Sequence, residues 1–179
     1  RIRLSVTRVG ARQPLNREGV VFIQAGDPQR VKGAPFVLHL ASRWESLATT
    51  AYRTLVDRYD VIELSTRDLR QGNAVEQAAR DMEYVRGQLG EARLNYLGNA
   101  AATRLGNRYG TLFPERVGRM VLINTEPGEP LATGVEQLLL KESAHAGADG
   151  CVSRWLGDFL AYGKQPPSSA RCLDLGAWE

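Results

Sequence analysis

The stretch that decides the fold of this chain is Asn95-Tyr96-Leu97-Gly98-Asn99-Ala100-Ala101-Ala102-Thr103. Its first residues predict the end of a β-strand, its small residues predict a tight turn, and the sequence up to Gly110 predicts a helix. A sharp strand-to-helix turn usually presents one side chain at the top of a parallel sheet, above the N-terminus of the helix. Ala100 occupies that apex position, and a methyl group offers no reactive chemistry.

Length and composition indicate an ordinary globular protein. The 179 residues, 43% of them hydrophobic and 24% charged, are enough for one domain with a real core. The net charge is only +3, and the basic residues are scattered along the chain, so we expect no nucleic-acid partner. Nearly all of the positive charge is arginine, which is typical of a GC-rich source.

The termini and cysteines bear on the location of the protein. No apolar run approaches the roughly 20 residues that a membrane-spanning helix needs, so we expect no membrane association. The chain begins at Arg1 without a secretion signal or an initiator Met, and we expect a processed or trimmed product. Cys151 and Cys172 fit either one disulfide in an exported protein or two reduced cysteines in a cytosolic one.

Hydrophobic periodicity predicts an alternation of strands and helices. Alternating apolar residues predict a half-buried edge strand over 2–9, and short apolar runs predict further strands at Val20–Ile23, Tyr59–Leu64, Leu94–Leu97 and Val117–Ile123. Apolar residues at helical spacing predict helices from about Ser42 to Arg58, from Asn73 to Gly90, and from the central turn to Phe113. This rhythm predicts an α/β fold with a parallel sheet between helices.

Helix boundaries and the C-terminal region complete the predicted elements. Asn73 is predicted to cap the second helix, with Glu76 as its capping-box partner. After Glu126 the rhythm changes, and helices are predicted at Val135–Ala144 and Val152–Tyr162. Ligands of parallel sheets bind beyond the carboxyl ends of the strands, where the loops at Gly26, Arg67 and Ala100 should meet.

Several segments carry a resemblance to a known family. The sequences Asp57–Ile62, Asp81–Gly90, Asn95–Gly98 and Tyr109–Leu122 resemble the α/β-hydrolases, and more narrowly the secreted tripeptidyl-aminopeptidase and proline-iminopeptidase-like branch of actinobacteria. The resemblance implies a partial α/β-hydrolase-like parallel sheet flanked by helices in residues 1–125, and the start of a helical cap in residues 126–179. The cap of that branch contains cysteines, which favours a Cys151–Cys172 disulfide and a secreted or extracytoplasmic protein over a cytoplasmic one.

The catalytic motifs of the family are degenerate in this chain. The family's Gly-x-Ser-x-Gly turn corresponds to Gly98–Ala102, so that Ala100 stands at the position of the nucleophilic serine, next to Asn99. By the same resemblance, the N–H of Ala101 would face the oxyanion, and Gly26 is the remnant of the family's glycine-rich oxyanion loop. Asp27 adds a carboxylate that would oppose an oxyanion.

Other functional positions of the family are altered or absent. Of the family's Asp-x-Arg-Gly-x-Gly loop only Arg67 is retained, and it is followed by Asp68. The acid and base of the family come late in the chain, so the resemblance implies that the C-terminal part is lacking. We interpret His39 and His145 as structural residues. We expect no metal ion and no cofactor.

Three functions remain open. The first is a pseudoenzyme, a catalytically inactive α/β-hydrolase-like protein that binds a ligand or a partner, with Asp27, Arg67, Asp68 and Asn99 as candidate binding residues. The second is a fragment or one chain of a serine hydrolase or aminopeptidase, whose nucleophile is replaced by Ala100. The third is an enzyme of another reaction class, using Asp27, Asp68 or Arg67 as acid, base or anion clamp.

The predicted sheet has a consequence for assembly. A sheet that stops after its fourth parallel strand leaves one edge with unpaired backbone N–H and C=O groups. We therefore predict that a homo-oligomer or a second chain completes the sheet, and a small molecule or peptide remains a possible ligand.

Overall fold

A computed structural model describes residues 4–24, 50–65, 69, 73–140 and 151–165 of the chain. In chain order its elements are β1 (Val6–Val9), β2 (Gly19–Gln24), α1 (Thr50–Arg58), β3 (Tyr59–Leu64), α2 (Ala74–Leu89), β4 (Leu94–Asn99), α3 (Ala102–Leu112), β5 (Val117–Ile123), β6 (Glu136–Leu140) and α4 (Cys151–Tyr162). Short 3₁₀ turns cover Pro14–Asn16 and Pro114–Arg116. No helix in these parts of the chain is long and apolar enough to cross a membrane.

The six strands form one mixed sheet in the order β1-β3-β2-β4-β5-β6. Only β1 is antiparallel, pairing Val6 with Leu64 of β3, whereas every other pair of neighbouring strands is parallel. The predicted α/β fold is confirmed, with a mostly parallel sheet flanked by helices. Because parallel strands share one direction, the carboxyl ends of β2, β4, β5 and β6 lie along the same edge.

Two apolar clusters cover the two faces of the sheet. On one face Val21 and Ile23 of β2 pack in a cluster with Leu55 of α1 and Phe159 of α4. On the other face the neighbouring β2 residues Val20 and Phe22 belong to a cluster with Met82 of α2 and Leu105 of α3. Every residue of β2 is buried, as the continuous apolar run predicted, because side chains alternate between two covered faces.

Most of the predicted elements are confirmed. Strands occur at each of the predicted positions, with β1 at the edge of the sheet, and β3 and β5 have the predicted bounds. The predicted apolar face of α2 is buried at Ala78, Met82 and Val85, and Gly90 ends that helix in the left-handed conformation. Helix α3 ends at Leu112, next to the predicted end at Phe113. The part of the first predicted helix before Thr50 lies outside the described residues.

Two predictions of local structure are wrong. Asn73 precedes α2 but has right-handed helical angles, and its side chain makes no capping hydrogen bond. The helix predicted at Val135–Ala144 is instead strand β6 over Glu136–Leu140, which pairs in parallel with β5. Leu138 and Leu140 are each 7% exposed while Leu139 is 43% exposed, which is the alternation of a strand. A run of three leucines fits the period of a helix as well as that of a strand, and pairing with β5 decided in favour of the strand.

Strand β6 changes the predicted edge of the sheet. Its residues Gln137 and Leu139 pair with Met120 and Leu122, so β6 covers the edge of β5 that the sequence left open. The sheet therefore continues to Leu140, past the predicted limit of the core at residue 125. The division into a core and a cap stays a prediction.

Candidate functional site

The turn between β4 and α3 has the backbone shape expected of a strand-to-helix apex. Ala100 has a φ of 55°, in the left-handed region that residues with a Cβ rarely adopt, and its side chain is exposed. Ala101, with φ −60° and ψ −27°, already has helical angles and immediately precedes α3. The apex residue is thus presented at the carboxyl edge of the sheet, above the N-terminus of a helix.

Glycine at position 98 lets the turn close tightly. A Cβ there would lie 2.7 Å from Cε1 of Tyr96 and 2.8 Å from the carbonyl oxygen of Ala102, which is closer than such atoms approach in proteins. The Tyr96 hydroxyl donates a hydrogen bond of 2.6 Å to the same Ala102 oxygen. Burial of the phenol and the nearby carboxylate of Glu129 raise the pKa of Tyr96, so it stays a neutral donor.

Below the apex, Thr103 joins the turn to the loop after β5. Its backbone N–H and its hydroxyl both donate to the carbonyl oxygen of Ala100, at 3.0 and 2.7 Å. Its Oγ1 also lies 2.9 Å from Oε2 of Glu129, and that carboxylate oxygen accepts the Glu126 N–H at 3.1 Å. A carboxylate near the first turn of α3 is favoured by the positive end of the helix dipole.

The structure also describes two of the other predicted residues in the turn. The hydrogen bonds of the described residues include none from the N–H of Ala101. The side-chain Oδ1 of Asn99 is buried and has no hydrogen-bond partner there. Ala100 is therefore flanked in sequence by a polar acceptor, the Oδ1 of Asn99, and by a polar donor, the N–H of Ala101.

The remaining predicted site residues lie outside the described parts of the chain. These are Gly26, Asp27, Arg67 and Asp68, as well as His39, His145 and Cys172; Cys151 begins α4, but its side chain is not described. The expected oxyanion-loop remnant, the candidate acid, base and anion clamp, and the predicted disulfide all stay predictions. Within the described ranges, no group of three His, Cys, Asp or Glu side chains could hold a metal ion.

Sequence reasoning missed a pocket on the outer side of α3. A cavity of about 430 Å³ lies between this helix and the loop of residues 126–130. Arg104, Asn107 and Arg108 line it from the helix, and Glu126 and Glu129 line it from the loop. The spacing of the three helix residues at i, i+3 and i+4 was the available signal, since such residues share one helix face.

The strand order and the apex conformation together characterise the fold. A mostly parallel sheet has an antiparallel first strand, and its central strand β4 leads through a left-handed apex into a helix. The chain has a partial α/β-hydrolase-like fold. The predicted resemblance to α/β-hydrolases is confirmed, whereas the assignment of Ala100 to the position of the nucleophile stays a prediction.

Comparison with known proteins gives partial matches to hydrolases. Over 44 residues the chain is 57% identical to the tripeptidyl aminopeptidase of Streptomyces lividans and 43% identical to the serine protease Hip1 of Mycobacterium bovis. Each match covers 25% of this chain and only 8% of the relative, so the chain matches a small part of either protein. No family model matches the chain.

Several solved structures are similar over a larger part of the chain. The epoxide hydrolase CorEH is 15% identical, with a TM-score of 0.47 over 70% of this chain and 39% of its own. Cfl2 of Burkholderia cenocepacia is 17% identical, with a TM-score of 0.46 over 70% of this chain and 43% of its own. A marine microorganism esterase, also 17% identical, has a TM-score of 0.46.

Proposed function

We propose that this chain is a catalytically inactive α/β-hydrolase-like protein that binds a ligand or a partner. The observation that carries the proposal is Ala100, which has the left-handed backbone of a nucleophile apex but bears only a methyl group. A methyl group cannot attack a carbonyl carbon, and general-base activation has no hydroxyl or thiol to act on at this position. The polar groups left at the turn, the Ala101 N–H and Asn99 Oδ1, can still bind a ligand.

An alternative is favoured by the same geometry. The chain could be a part of a serine hydrolase or aminopeptidase whose serine is replaced by Ala100 and whose acid and base lie in another segment or chain. The left-handed φ of Ala100 supports this alternative, because a serine at that position would be presented with no change of backbone. The relatives named as a tripeptidyl aminopeptidase and a serine protease also support it, although they match over only 44 residues.

A labelling experiment distinguishes the two functions. Purified protein is treated with a fluorophosphonate probe and assayed with aminoacyl and ester substrates, in parallel with Ala100→Ser and the matched control Ala101→Ser. We expect no labelling and no turnover for the unaltered protein. Labelling or turnover of the unaltered protein would contradict the inactive function. Labelling of Ala100→Ser together with no labelling of Ala101→Ser would favour the hydrolase alternative, because only the apex hydroxyl is correctly presented.

Assembly and location remain part of the proposal. Strand β6 is the last strand of the described sheet, and we propose that its free edge pairs with a second copy or a second chain. Size-exclusion chromatography with intact-mass measurement tests this, since a monomer of 19.7 kDa with no companion chain contradicts it.

We also propose a secreted or extracytoplasmic protein with a Cys151–Cys172 disulfide. Two free thiols measured in denaturant without reductant would contradict the disulfide.

A further inference from the structure

We propose that the pocket between α3 and residues 126–130 binds a small zwitterion of the free amino-acid class. The proposal goes beyond the function inferred from the turn, because within the described residues the lining of this pocket does not include positions 98–101. Its volume of about 430 Å³ is in the usual range for small-molecule sites, roughly 300–1,000 Å³.

The two walls of the pocket carry opposite charges. Arg104 and Arg108 project from α3, and Glu126 and Glu129 belong to the facing loop. A simple anion would meet two carboxylates there, and a simple cation would meet two guanidinium groups. A ligand that carries both a carboxylate and an ammonium can place each charge against the opposite wall, so its charges match those of the pocket.

The ion pairs already present at the pocket allow such a ligand to enter. Arg104 pairs with Glu126, and both residues line the pocket; their side chains are 39% and 48% exposed. An exposed pair of this kind contributes little to stability, so its partners can exchange for ligand groups at small cost. Arg108, which also lines the pocket, pairs at 2.9 Å with Glu76 of α2.

Asn107 provides an independent reason to expect a ligand. It lines the pocket and is only 3% exposed, and its Oδ1 accepts the backbone N–H of Ala132 at 3.1 Å. Its Nδ2 is buried and has no acceptor in the described structure. Buried amide donors are normally hydrogen-bonded, so we infer that the Asn107 side chain shifts toward the pocket when a ligand carboxylate beside Arg108 supplies the acceptor.

The rest of the lining selects an apolar side chain on the ligand. Val75 of α2 and the loop residues Pro127 and Pro130 contribute apolar surface to the same pocket. An amino acid with an aliphatic side chain places its charges on the polar walls and its side chain on these residues. L-Leucine is therefore the probe.

Isothermal titration calorimetry on the full chain tests the site with three ligands. We expect L-leucine to bind with a Kd below about 1 mM, and N-acetyl-L-leucine and L-leucinamide, which each lack one charge, to bind at least about tenfold more weakly. The proposal is overturned if leucine shows no saturable binding up to about 10 mM, or if all three ligands bind equally.

Matched variants locate the binding. Arg108→Gln and the isosteric Asn107→Asp should each weaken leucine binding by about tenfold or more, since each removes a donor to the carboxylate. Arg80→Gln is the control, because Arg80 lies 3.6 Å from the same Glu76, is 62% exposed and does not line the pocket. Circular dichroism confirms that each variant is folded.

Two outcomes separate this proposal from the function of the turn. Ala100→Ser should leave leucine binding unchanged, whatever its effect on fluorophosphonate labelling. Loss of leucine binding in Ala100→Ser with retention in Arg108→Gln would place the ligand at the turn and overturn the pocket proposal.

Discussion

The backbone N–H of Ala100 donates a hydrogen bond of 3.0 Å to the carbonyl oxygen of Ile123 at the end of β5. This bond fixes the apex of the turn to the neighbouring strand, in continuation of the pairing between Asn99 and Ile123. The left-handed φ of Ala100 is thus imposed by the packing of the sheet and is not a preference of alanine.

Replacement of Ala100 by glycine should stabilise the protein. Glycine adopts φ of 55° without steric cost, so we expect Ala100→Gly to raise the free energy of unfolding by about 0.5–1 kcal/mol, after the greater chain entropy of glycine is subtracted. Urea unfolding measures the change. Asn124→Gly is the control, since Asn124 has φ of 60° and asparagine already tolerates this region, so its gain should be smaller. A lower stability of the Ala100→Gly variant would contradict the inference that the backbone of Ala100 is strained.

Replacement of Gly98 by alanine should have the opposite effect. The new Cβ would lie 2.7 Å from Tyr96 Cε1 and 2.8 Å from a backbone oxygen, so we expect Gly98→Ala to cost about 1–3 kcal/mol of unfolding free energy. Gly87→Ala on α2 is the matched control, because nothing lies within 4 Å of its new Cβ and alanine favours helices. Thermal denaturation of the two variants should show shifts of opposite sign, and equal shifts would contradict the close packing of the turn.

Substitution in β6 tests its assignment as a strand. Leu138 is 7% exposed and packs in the cluster that contains Phe159, while its neighbour Leu139 is 43% exposed. We expect Leu138→Ala to cost about 2–4 kcal/mol and Leu139→Ala to cost less than about 1 kcal/mol, measured by urea unfolding. Similar costs at both positions would contradict the alternation and the pairing of β6 with β5.

The buried carboxylate of Asp60 should make the protein sensitive to acid. Asp60 is 2% exposed and accepts hydrogen bonds from the Ala11 N–H and from Arg8 and Arg17. Burial disfavours its charged form, but these three donors outweigh burial and lower its pKa below the usual value. Its stabilising contribution is therefore present at neutral pH, and it is lost as the pH falls from about 3.9 through the lower pKa of the folded state.

The Asp60→Asn variant measures that contribution. We expect it to reduce the free energy of unfolding by about 2–3 kcal/mol at neutral pH and to be nearly as stable as the unaltered protein at the acid end of the curve. Asp57→Asn is a control, because among the described residues the Asp57 carboxylate accepts just one long hydrogen bond, of 3.4 Å, from Nε2 of Gln13. If the difference in unfolding free energy between Asp60→Asn and the unaltered protein stays constant down to low pH, the stability does not depend on the ionisation of Asp60 and the prediction is wrong.

Sequence reasoning was most successful where local pattern and tertiary environment agree. The continuous apolar run of β2, the strand–turn–helix around Ala100 and the left-handed Gly90 after α2 each follow from residue type and spacing alone. The same reasoning failed at Asn73, where a favourable capping residue makes no capping bond. Propensity describes what a residue can do, and neighbouring elements determine whether it does so.

The sequence by itself determined the alternation of strands and helices, the resemblance to α/β-hydrolases and the absence of a nucleophile at the apex, because all three depend on residue identity and short spacing. Only the tertiary structure decided that Leu138–Leu140 form a strand and that Arg104 and Arg108 face Glu126 and Glu129 across a pocket. These features depend on contacts between residues distant in the chain: the strand pairs with β5, and the pocket arises where a loop returns to a helix. Local periodicity contains no information about such contacts.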